Sequence, residues 1–538
     1  MIKKIICIAL TVLMLILTGC KDNDTTSGGS KPQGSAPTAA SAELQLLYCA
    51  NDTINPYKTI SKLNAELGLL MFDSLVKYNN NFETVYSLAS NIKTEDKVCT
   101  VALRNAYFSD GSKVTADDVI YSYNLAKESS RFKDLFYEVE SVVAVDSSSI
   151  AFTLKCFDIY FEKLLTFPII KSGSDQLKNE DNVELAPVGS GRFIFDEKKA
   201  VLVKNGNYFG NKGNIEKINL INAPDSESMT HYVEIGATDI YFAEMNDDSI
   251  IRMSSKKVSV NRNNLIYIGI NHNYGPLKSD ELRFAISAAI SRNDIVTRAF
   301  YTNATAATGF FHPALKDVSD YQSINPEADE KISIENLEKI GYNILNDDRF
   351  LENSNGKLLE LTLLVNKESS SKLLAANLIA EQLAAVGVKL TVNALDESSY
   401  FSALQNGHFQ LYLGEIKLLP NMDFRSLLIS GGSAAYGMVV PYNPVINEAQ
   451  QETEQTTEDA TEEVPYFDNE TSYLSVLNGF YEGKNTIIDV ASSLQSSMPI
   501  IPVAYRNSLM FYSGDIEDVF SPSYADIFIS IDKYSVKK

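Results

Sequence analysis

The chain has 538 residues, 45% of them hydrophobic and 22% charged, an ordinary globular composition with enough material for two or three domains. Its formal net charge of −22 argues against a nucleic acid or an anionic lipid surface as a partner, because like charges repel. We therefore expect no nucleic-acid partner.

The first 20 residues resemble the signal peptide of a bacterial lipoprotein. Lys3 and Lys4 precede an apolar run over residues 5–17, which is shorter than the roughly 20 residues of a membrane-spanning helix. The segment ends in Leu-Thr-Gly-Cys, similar to the lipobox whose cysteine is diacylated. Cys20 is therefore the predicted lipidation site, which places the protein at the extracytoplasmic face of the cell membrane. A plain signal peptide is the alternative.

A flexible tether is predicted to follow the signal peptide, and three cysteines lie beyond it. Residues 21–43 are rich in Ser, Thr, Gly, Pro and Ala and bury too little surface to fold. Beyond Cys20 the chain contains Cys49, Cys99 and Cys156, an odd number that cannot all pair internally. We predict buried free thiols, while a disulfide between Cys99 and Cys156 stays open.

Two stretches have the pattern of capped amphipathic helices. Thr115 to Glu128 begins with a capping box between Thr115 and Asp118, followed by an apolar face. The stretch from Asp280 to Phe300 has apolar residues at helical spacing and is predicted to form two helices that break near Ser291.

A βαβαβ unit is predicted in the last third of the chain, with parallel strands and right-handed crossovers. Its elements are the strand Leu359–Val365, the helix Ser371–Val386 ended by Gly387, the strand Val388–Val392, the helix from Asp396 to Gly407 and the strand Phe409–Leu413. Ligands of such sheets bind beyond the carboxyl ends of the strands. This places the candidate site at residues 414–418.

The remaining patterns do not indicate catalysis. Four histidines are scattered without zinc-site spacing, and the chain has no nucleophile elbow, P-loop or dinucleotide fingerprint. Residues 448–463 contain seven acidic residues and no Lys or Arg, which predicts a solvated loop. We predict no catalytic residue, no metal ligand and no cofactor.

The segment Tyr107–Val119 is closely similar to a motif of one family, the oligopeptide-, dipeptide- and nickel-binding solute-binding proteins of ABC importers, often called family 5. The pattern there is an aromatic residue, S-D-G, and a hydrophobic residue before T-A-x-D-V. Further matches follow in the family's order over most of residues 44–538: Pro187–Gly191, Lys204–Phe209, Asn271–Leu277, Leu282–Arg292, Ile340–Tyr342, Val386–Val388 and Pro499–Val503. The chain is thereby identified as a member of this family.

The resemblance implies an α/β, bilobed periplasmic-binding-protein-like fold with an inserted subdomain in the first lobe. Lobe I is predicted to comprise residues 44–262 plus 505–538, with the inserted subdomain at about 68–186. Lobe II is predicted to comprise residues 263–504. The lobes would be hinged near residues 266–269 and 501–505 and would close over a solute.

The same resemblance, with the predicted sheet, points to a set of ligand-binding residues. They are Ile60, Ser61, Gly414, Glu415, Ile416, Lys417, Asp423 and Tyr436. Family members often read G-W-x-x-D after this strand, with the aspartate on the ligand's α-amino group. Here the chain has no Trp and Leu418 stands at the aspartate position, so Glu415 or Asp423 would have to substitute.

The implied function is a monomeric, lipid-anchored receptor that delivers a small solute to an ABC permease and its ATPase subunits. The first candidate for this solute is a peptide. Within the family, a nickel complex or a saccharide is an alternative ligand. From other classes, a surface hydrolase and a sensing or adhesive lipoprotein without transport stay open.

Overall fold

The computed structural model describes residues 42–245, 255–438, 473–517 and 521–537. The predicted signal peptide with Cys20, nearly all of the tether and the acidic segment 448–463 lie outside these ranges. Within the described residues, no helix combines the length and the apolar character needed to cross a membrane.

Most of the described helices begin at a residue whose side chain can cap the helix, whereas the two four-residue helices have no side-chain cap. Thr115 and Asp118 form the predicted capping box, and the predicted break after Asp280 falls between Ala289 and Arg292. The α-helices are α1 (Lys62–Met71), α2 (Ala116–Glu128), α3 (Ser226–Glu234), α4 (Asp280–Ala289), α5 (Arg292–Arg298), α6 (Lys316–Ser319), α7 (Glu330–Lys339), α8 (Ser370–Ala385), α9 (Glu397–Gln405), α10 (Arg425–Leu428), α11 (Tyr473–Tyr481) and α12 (Ile487–Ser497).

The strands belong to two large sheets, one inserted sheet and several two-stranded ribbons. They are β1 (Ala42–Tyr48), β2 (Val76–Tyr78), β3 (Thr84–Tyr86), β4 (Ala89–Glu95), β5 (Val98–Leu103), β6 (Val139–Asp146), β7 (Ser149–Leu154), β8 (Phe193–Asp196), β9 (Val201–Lys204), β10 (Ile215–Asn222), β11 (Ile240–Ala243), β12 (Lys256–Ile270), β13 (Ala304–Ala306), β14 (Tyr342–Leu345), β15 (Leu351–Asn353), β16 (Glu360–Asn366), β17 (Lys389–Leu395), β18 (Leu411–Lys417), β19 (Ile501–Tyr512), β20 (Ile516–Glu517) and β21 (Ser535–Val536).

The first large sheet has the order β1-β10-β9-β8, with β1 and β10 parallel. The apolar face of α1, which includes Leu67 and Leu70, shares a buried core with Leu44 of β1 and Ile218 of β10. This packing fixes α1 beside the sheet and leaves its other face free to line a cavity.

The second large sheet has the order β11-β19-β12-β18-β16-β17, with β13 beside β19. Strands β16, β17 and β18 pair in parallel, so the predicted βαβαβ unit is confirmed. Gly387 ends α8 with a φ of +83°, a conformation that glycine adopts without a Cβ penalty. The long strands β12 and β19 are antiparallel; β19 is almost wholly buried, and β12 is buried from Arg262 onward.

The third strand of the unit is longer than predicted. Expected to end at Leu413, β18 continues to Lys417 and pairs along its length with β12 in antiparallel register, Gly414 lying opposite Tyr267. Residues 414–417 are therefore strand rather than a segment beyond its end, because the facing strand β12 offers hydrogen-bond partners up to Asn264.

A four-stranded antiparallel sheet of order β4-β5-β7-β6 lies within the range predicted as an inserted subdomain. Along β7 the buried residues Ile150, Phe152 and Leu154 alternate with less buried ones, so only one face of the sheet is covered. Cys99 of β5 lies in the same core as a free thiol, and Cys49 and Cys156 are also free. The disulfide between Cys99 and Cys156 that the sequence left open is therefore not formed.

Candidate functional site

A cavity of about 500 Å³ is lined by residues of α1, of β2, β11, β12 and β18, and of the segments around them. One wall is α1, and the opposite wall is formed by the middle of β12 and the end of β18 with the residues that follow it. Residues 131–135, which follow α2, and the C-terminal residues 524–527 close the sides. A volume of this size accommodates a small organic molecule.

Helix α1 contributes the charged groups of its wall through helical spacing. Ser61 caps the helix by accepting a hydrogen bond from the backbone N–H of Asn64. Lys62, Glu66 and Leu69 line the cavity. They are four and three residues apart and so share one face of the helix.

Glu66 is a carboxyl group deep in this cavity. Its side chain is 17% exposed, and its Oε1 is buried and accepts no hydrogen bond from the described residues. Burial raises the pKa of Glu66 to about 8, against the weaker opposing effect of Lys62. At neutral pH the empty site therefore favours the protonated carboxyl.

Cationic groups line the cavity elsewhere. The ammonium of Lys417 lies 3.3 Å from the hydroxyl of Tyr524 and 5.0 Å from the centre of its ring, and it forms no ion pair with a carboxylate among the described residues. The buried guanidinium of Arg262 lies 5.2 Å from the same ring and donates to the backbone carbonyl of Glu244 at 2.5 Å. Arg131 is exposed at the rim.

Two amide side chains of β12, Asn263 and Asn264, line the cavity. Asn263 donates to the carbonyl of Leu419 at 3.1 Å, and Asn264 donates to Glu415 at 3.3 Å. The Oδ1 atoms of both amides are buried and accept no hydrogen bond from the described residues, whereas buried acceptors are normally satisfied.

Of the residues predicted from the sequence, Lys417 lines the cavity. Glu415, two residues earlier on β18, instead pairs with Arg506 at 2.8 Å and with Lys372 at 3.4 Å. Burial opposes its charge, but Arg506 and Lys372 outweigh burial and hold the pKa of Glu415 below its usual value. Its carboxylate is thus already neutralised within the protein.

The other predicted residues on β18 and beyond it serve packing. A Cβ on Gly414 would lie 2.7 Å from the ring of Tyr267 and 2.9 Å from that of Tyr412. Ile416 is partly buried against the core of the second large sheet. Tyr436 meets Tyr412 edge to face, with ring centres 6.1 Å apart.

Asp423 lies in a separate polar cluster. It accepts hydrogen bonds from Arg425 at 2.6 Å, from the hydroxyl of Tyr137 at 2.5 Å and from that of Tyr481 at 2.9 Å. Burial opposes its charge, but Arg425 and Tyr137 hold the pKa of Asp423 below its usual value. Because Tyr137 borders the inserted sheet, this cluster joins that sheet to the segment after β18.

The predicted ligand-binding residues Ile60 and Ser61 directly precede the first residue of α1, Lys62. The backbone N–H groups of Ile60 and Ser61 donate to Oδ2 of Asp52 at 3.0 and 2.7 Å. The side chain of Ile60 is 90% exposed. Neither residue lines the cavity.

Sequence reasoning missed most of the cavity's polar groups: Glu66, Arg131, Arg262, Asn263, Asn264 and Tyr524. They come from four distant segments, and no motif contains them. The charged pair Lys62 and Glu66 at helical spacing was the available signal for one wall, but it is equally typical of a solvated helix face. Among the described residues, no group of three His, Cys, Asp or Glu side chains could hold a metal ion.

The chain is similar to known solute-binding proteins. The family model of bacterial extracellular solute-binding proteins, family 5 Middle, matches residues 83–433. The oligopeptide-binding protein AppA of Bacillus subtilis strain 168 is 23% identical over 448 residues, covering 78% of this chain and 79% of AppA.

Two solved structures resemble the whole described fold. The unliganded open form of the periplasmic murein tripeptide binding protein MppA matches with a TM-score of 0.68 and 19% identity, covering 93% of this chain and 98% of MppA. A nickel ABC transporter structure from Bacillus halodurans matches with a TM-score of 0.68 and 16% identity, covering 92% of this chain and 99% of that one. The chain therefore has the bilobed α/β fold of these proteins.

Proposed function

Because the chain belongs to the family 5 bacterial extracellular solute-binding proteins of ABC importers, we propose that it binds a peptide in the cavity described above and delivers it to an ABC permease. The permease and its ATPase subunits are the proposed partners, and the receptor works as a monomer without catalysis. Neither a metal nor a cofactor is part of the proposed site.

The lining of the cavity supports a peptide. Asn263 and Asn264 line the cavity with amide groups, which suit a peptide backbone, and Lys417 can meet a carboxylate without first breaking an ion pair within the described residues. Glu66 adds a carboxyl group to the lining. Aromatic rings, among them Phe72 and Tyr524, provide apolar surface for side chains of variable shape. The combination of a cationic side chain, a carboxyl group and amide side chains in one cavity is the observation that carries the proposal.

Closure of two lobes explains how the solute would be held. The proposed boundaries, residues 44–262 plus 505–538 for lobe I and 263–504 for lobe II, cross β12 and β19. The pairing of these strands shifts register between Asn261 and Asn264 and again between Ile266 and Tyr267. Such irregularities bend a strand, which suits a hinge at this position. Closing the cavity removes water and strengthens its few polar contacts.

Attachment to the cell membrane through Cys20 completes the proposal. The lipobox-like ending of the leader supports it, and residues 21–43 would serve as a flexible tether. The bound solute would then be presented beside the permease in the same membrane.

Native mass spectrometry of the protein, purified without denaturation, tests the ligand class. We expect a mass increment that acid releases and that fragments as a peptide. A saccharide or a nickel complex as the released species would overturn the peptide assignment. Turnover of the released species by the pure protein would favour the hydrolase alternative.

Calorimetric titration with synthetic peptides tests the cavity. Replacing Lys417 with Met removes the charge at nearly constant length, and we expect at least tenfold weaker binding of a free carboxylate, about 1.4 kcal/mol. A peptide with an amidated carboxyl end should bind both proteins alike. Lys331→Met on the exposed surface of α7 is the matched control. Equal affinities for Lys417→Met and wild type would show that the carboxylate binds elsewhere.

A further inference from the structure

The proposed inserted subdomain and the segment after β18 enclose a group of acidic side chains between them. Glu138 and Asp158 come from the subdomain, and Asp423 comes from the segment. Arg425 pairs with Glu138 at 2.8 Å and with Asp423 at 2.6 Å. Asp158 forms no ion pair with a cation among the described residues. One guanidinium therefore serves two of the three carboxyl groups, and the charge of the third is left uncompensated.

Asp158 is a buried carboxyl group whose hydrogen-bond donors are neutral. It is 5% exposed. Its Oδ2 accepts from the side-chain amide of Asn421 at 2.7 Å, and its Oδ1 accepts from the backbone N–H of Tyr160 at 2.8 Å. Hydrogen bonds from neutral groups stabilise a carboxylate less than those from a cation, and burial disfavours the charged form. The contact therefore suits a protonated carboxyl.

Asn421 can serve either protonation state of Asp158. Its Nδ2 donates to the ionised carboxylate, whereas its Oδ1 is buried and accepts no hydrogen bond from the described residues. A half-turn of the amide exchanges Oδ1 and Nδ2, so that Oδ1 accepts from the hydroxyl of a protonated Asp158. Because this side chain has both a donor and an acceptor, the contact stays intact when a proton arrives.

The titratable groups around Asp158 lie on both sides of the contact. Those that interact with it directly are Asp423 and Arg425 after β18, Tyr160 and Lys163 after β7, and Cys99 of β5. Those that surround Arg425 beside it are Tyr137, Glu138, Cys156 and Tyr481. Burial is the largest effect on Asp158 and raises its pKa to about 6. The hydrogen bond from Asn421 and the charge of Arg425 oppose burial without outweighing it.

We propose that Asp158 is a proton-binding switch of lobe closure, which takes up a proton when the inserted subdomain closes against the segment after β18. This inference rests on the proposed function, in whose division Asp158 belongs to lobe I and Asn421 to lobe II. It adds control of the cavity by the pH outside the cell. When the lobes part, Asp158 loses the cover of this segment and the hydrogen bond from Asn421, and it becomes an ordinary aspartate in water.

Closure is then favoured by falling pH. The proton comes from the buffer and adds to the carboxylate, so one negative charge disappears as the lobes close. The pKa of Asp158 is about 6 in the closed contact and ordinarily 3.8, so the closed arrangement binds the proton more tightly. Between about pH 8 and about pH 5 the closing equilibrium should shift about tenfold towards the closed arrangement. Solute affinity follows this shift because the solute binds the closed arrangement.

Solution X-ray scattering of the solute-free protein tests the switch without a ligand. We expect wild type to have a smaller radius of gyration at about pH 5 than at about pH 8. Asp158→Asn imitates the protonated carboxyl at every pH, so it should have the smaller radius already at about pH 8. Asp348→Asn, on the exposed turn between β14 and β15, is the matched control and should scatter as wild type does.

Calorimetric titration with synthetic dipeptides to tetrapeptides tests the coupling to binding. Asp158→Asn should bind at least tenfold more tightly than wild type at about pH 8, and the ratio of the two affinities should narrow about tenfold by about pH 5. Other titrating groups, Glu66 among them, are common to both proteins and cancel in this ratio. Circular dichroism establishes that each variant is folded. Asp158→Ser, a second neutral variant with the same expected trend, replaces Asp158→Asn if that variant does not fold.

Each outcome is decisive. If peptides bind and the affinity ratio is the same at both pH values, the switch is wrong while the proposed function stands. If scattering shows closure that depends on pH and on Asp158 but no peptide binds, the switch stands and the peptide assignment falls. If no peptide binds and the radii of wild type and Asp158→Asn agree at both pH values, both are overturned.

Discussion

At the scale of single residues, Lys77 and Glu66 are two buried ionisable groups whose pKa values are raised for different reasons. Lys77 donates to Asp526 at 2.7 Å and lies 3.3 Å from Asp73. Burial disfavours its charge, but these two carboxylates outweigh burial and raise the pKa of Lys77. Glu66 has only its ion pair with Lys62 at 3.8 Å, and burial outweighs that pair. The pKa of a buried group therefore depends on whether the neighbouring charges outweigh the cost of burying its charged form.

Glu66 should make stability fall with rising pH. Its pKa is about 8 in the folded protein and ordinarily 4.5, so between these values the folded state holds a proton that the unfolded state has lost. We expect Glu66→Gln to have nearly the same melting temperature as wild type at about pH 4 or below, where the carboxyl is protonated in both states. Near pH 8 it should be more stable by about 4 kcal/mol.

Differential scanning calorimetry of the solute-free proteins from about pH 4 to about pH 8 measures this difference. Glu335→Gln, an exposed carboxylate on α7, should show no trend relative to wild type. A constant difference between Glu66→Gln and wild type over this range would contradict the raised pKa.

Gly414 should tolerate no side chain. A Cβ there would approach the rings of Tyr267 and Tyr412 to below 3 Å, and both rings are buried in the sheet core. We expect Gly414→Ala to lower the free energy of unfolding by about 1–3 kcal/mol, as other overpacked cores do. Urea unfolding measures it, and Gly206→Ala, with open space at its Cβ, is the control. A change below about 0.5 kcal/mol for both variants would show that the tyrosines move aside.

At the scale of elements, the segment from Asn421 to Leu428 connects the end of β18 to the inserted sheet. Arg425 pairs with Glu138 at 2.8 Å and donates to Tyr137 at 2.6 Å. Asn421 donates to Asp158 at 2.7 Å, and burial raises the pKa of Asp158 to about 6. In the proposed division these contacts join lobe II to the subdomain of lobe I, so they act only when the lobes are together.

The double variant Tyr137→Phe and Glu138→Gln should favour an open arrangement. It weakens the contacts that Tyr137 and Glu138 make with Arg425 and Asp423 while leaving the pair of Arg425 with Asp423 intact. We expect a larger radius of gyration in solute-free solution X-ray scattering and at least tenfold weaker binding of the identified solute, since part of its binding energy must then close the lobes.

A matched double variant, Tyr86→Phe with Glu95→Gln, changes the same residue types in β3 and β4. The hydroxyl of Tyr86 donates to Glu162 at 3.5 Å, and Glu95 pairs with Lys93 on its own strand. This control should scatter and bind as wild type does. If the Tyr137 and Glu138 variant also behaves as wild type, the contacts do not contribute to closure.

At the scale of the whole molecule, the net charge bears on how the protein is held at a membrane. A chain with a net charge of −22 is repelled by anionic lipid head groups, so its surface cannot hold it at a membrane. The proposed lipid at Cys20 would supply the hydrophobic anchor instead.

Replacing Cys20 with Ser tests the anchor. The variant cannot be diacylated, so we expect it to move from the membrane fraction to the soluble or unprocessed pool. Metabolic labelling with a radioactive fatty acid, followed by fractionation, measures both effects. Cys49→Ser, a change in the folded part of the chain, should keep the label and the membrane partition. An unchanged partition of Cys20→Ser would contradict lipidation at this residue.

The sequence by itself determined the features that depend on neighbouring residues. The capping box of α2, the break between α4 and α5 and the glycine that ends α8 are short-range patterns, and the alternation of strands and helices between residues 359 and 413 implies parallel pairing. The family followed from motifs spread along the chain. The bilobed fold came with the family.

Only the tertiary structure decided the lining of the cavity. The extension of β18 to Lys417 depends on its partner β12, which is distant in sequence. Glu415 became an internal ion pair because β19 places Arg506 beside it, whereas Glu66 became the unsatisfied acid of the cavity because β11 engages Lys62. The sequence alone does not show whether a carboxylate is paired with a cation in the folded protein. Which state it has is set by charges and burial contributed by other parts of the chain.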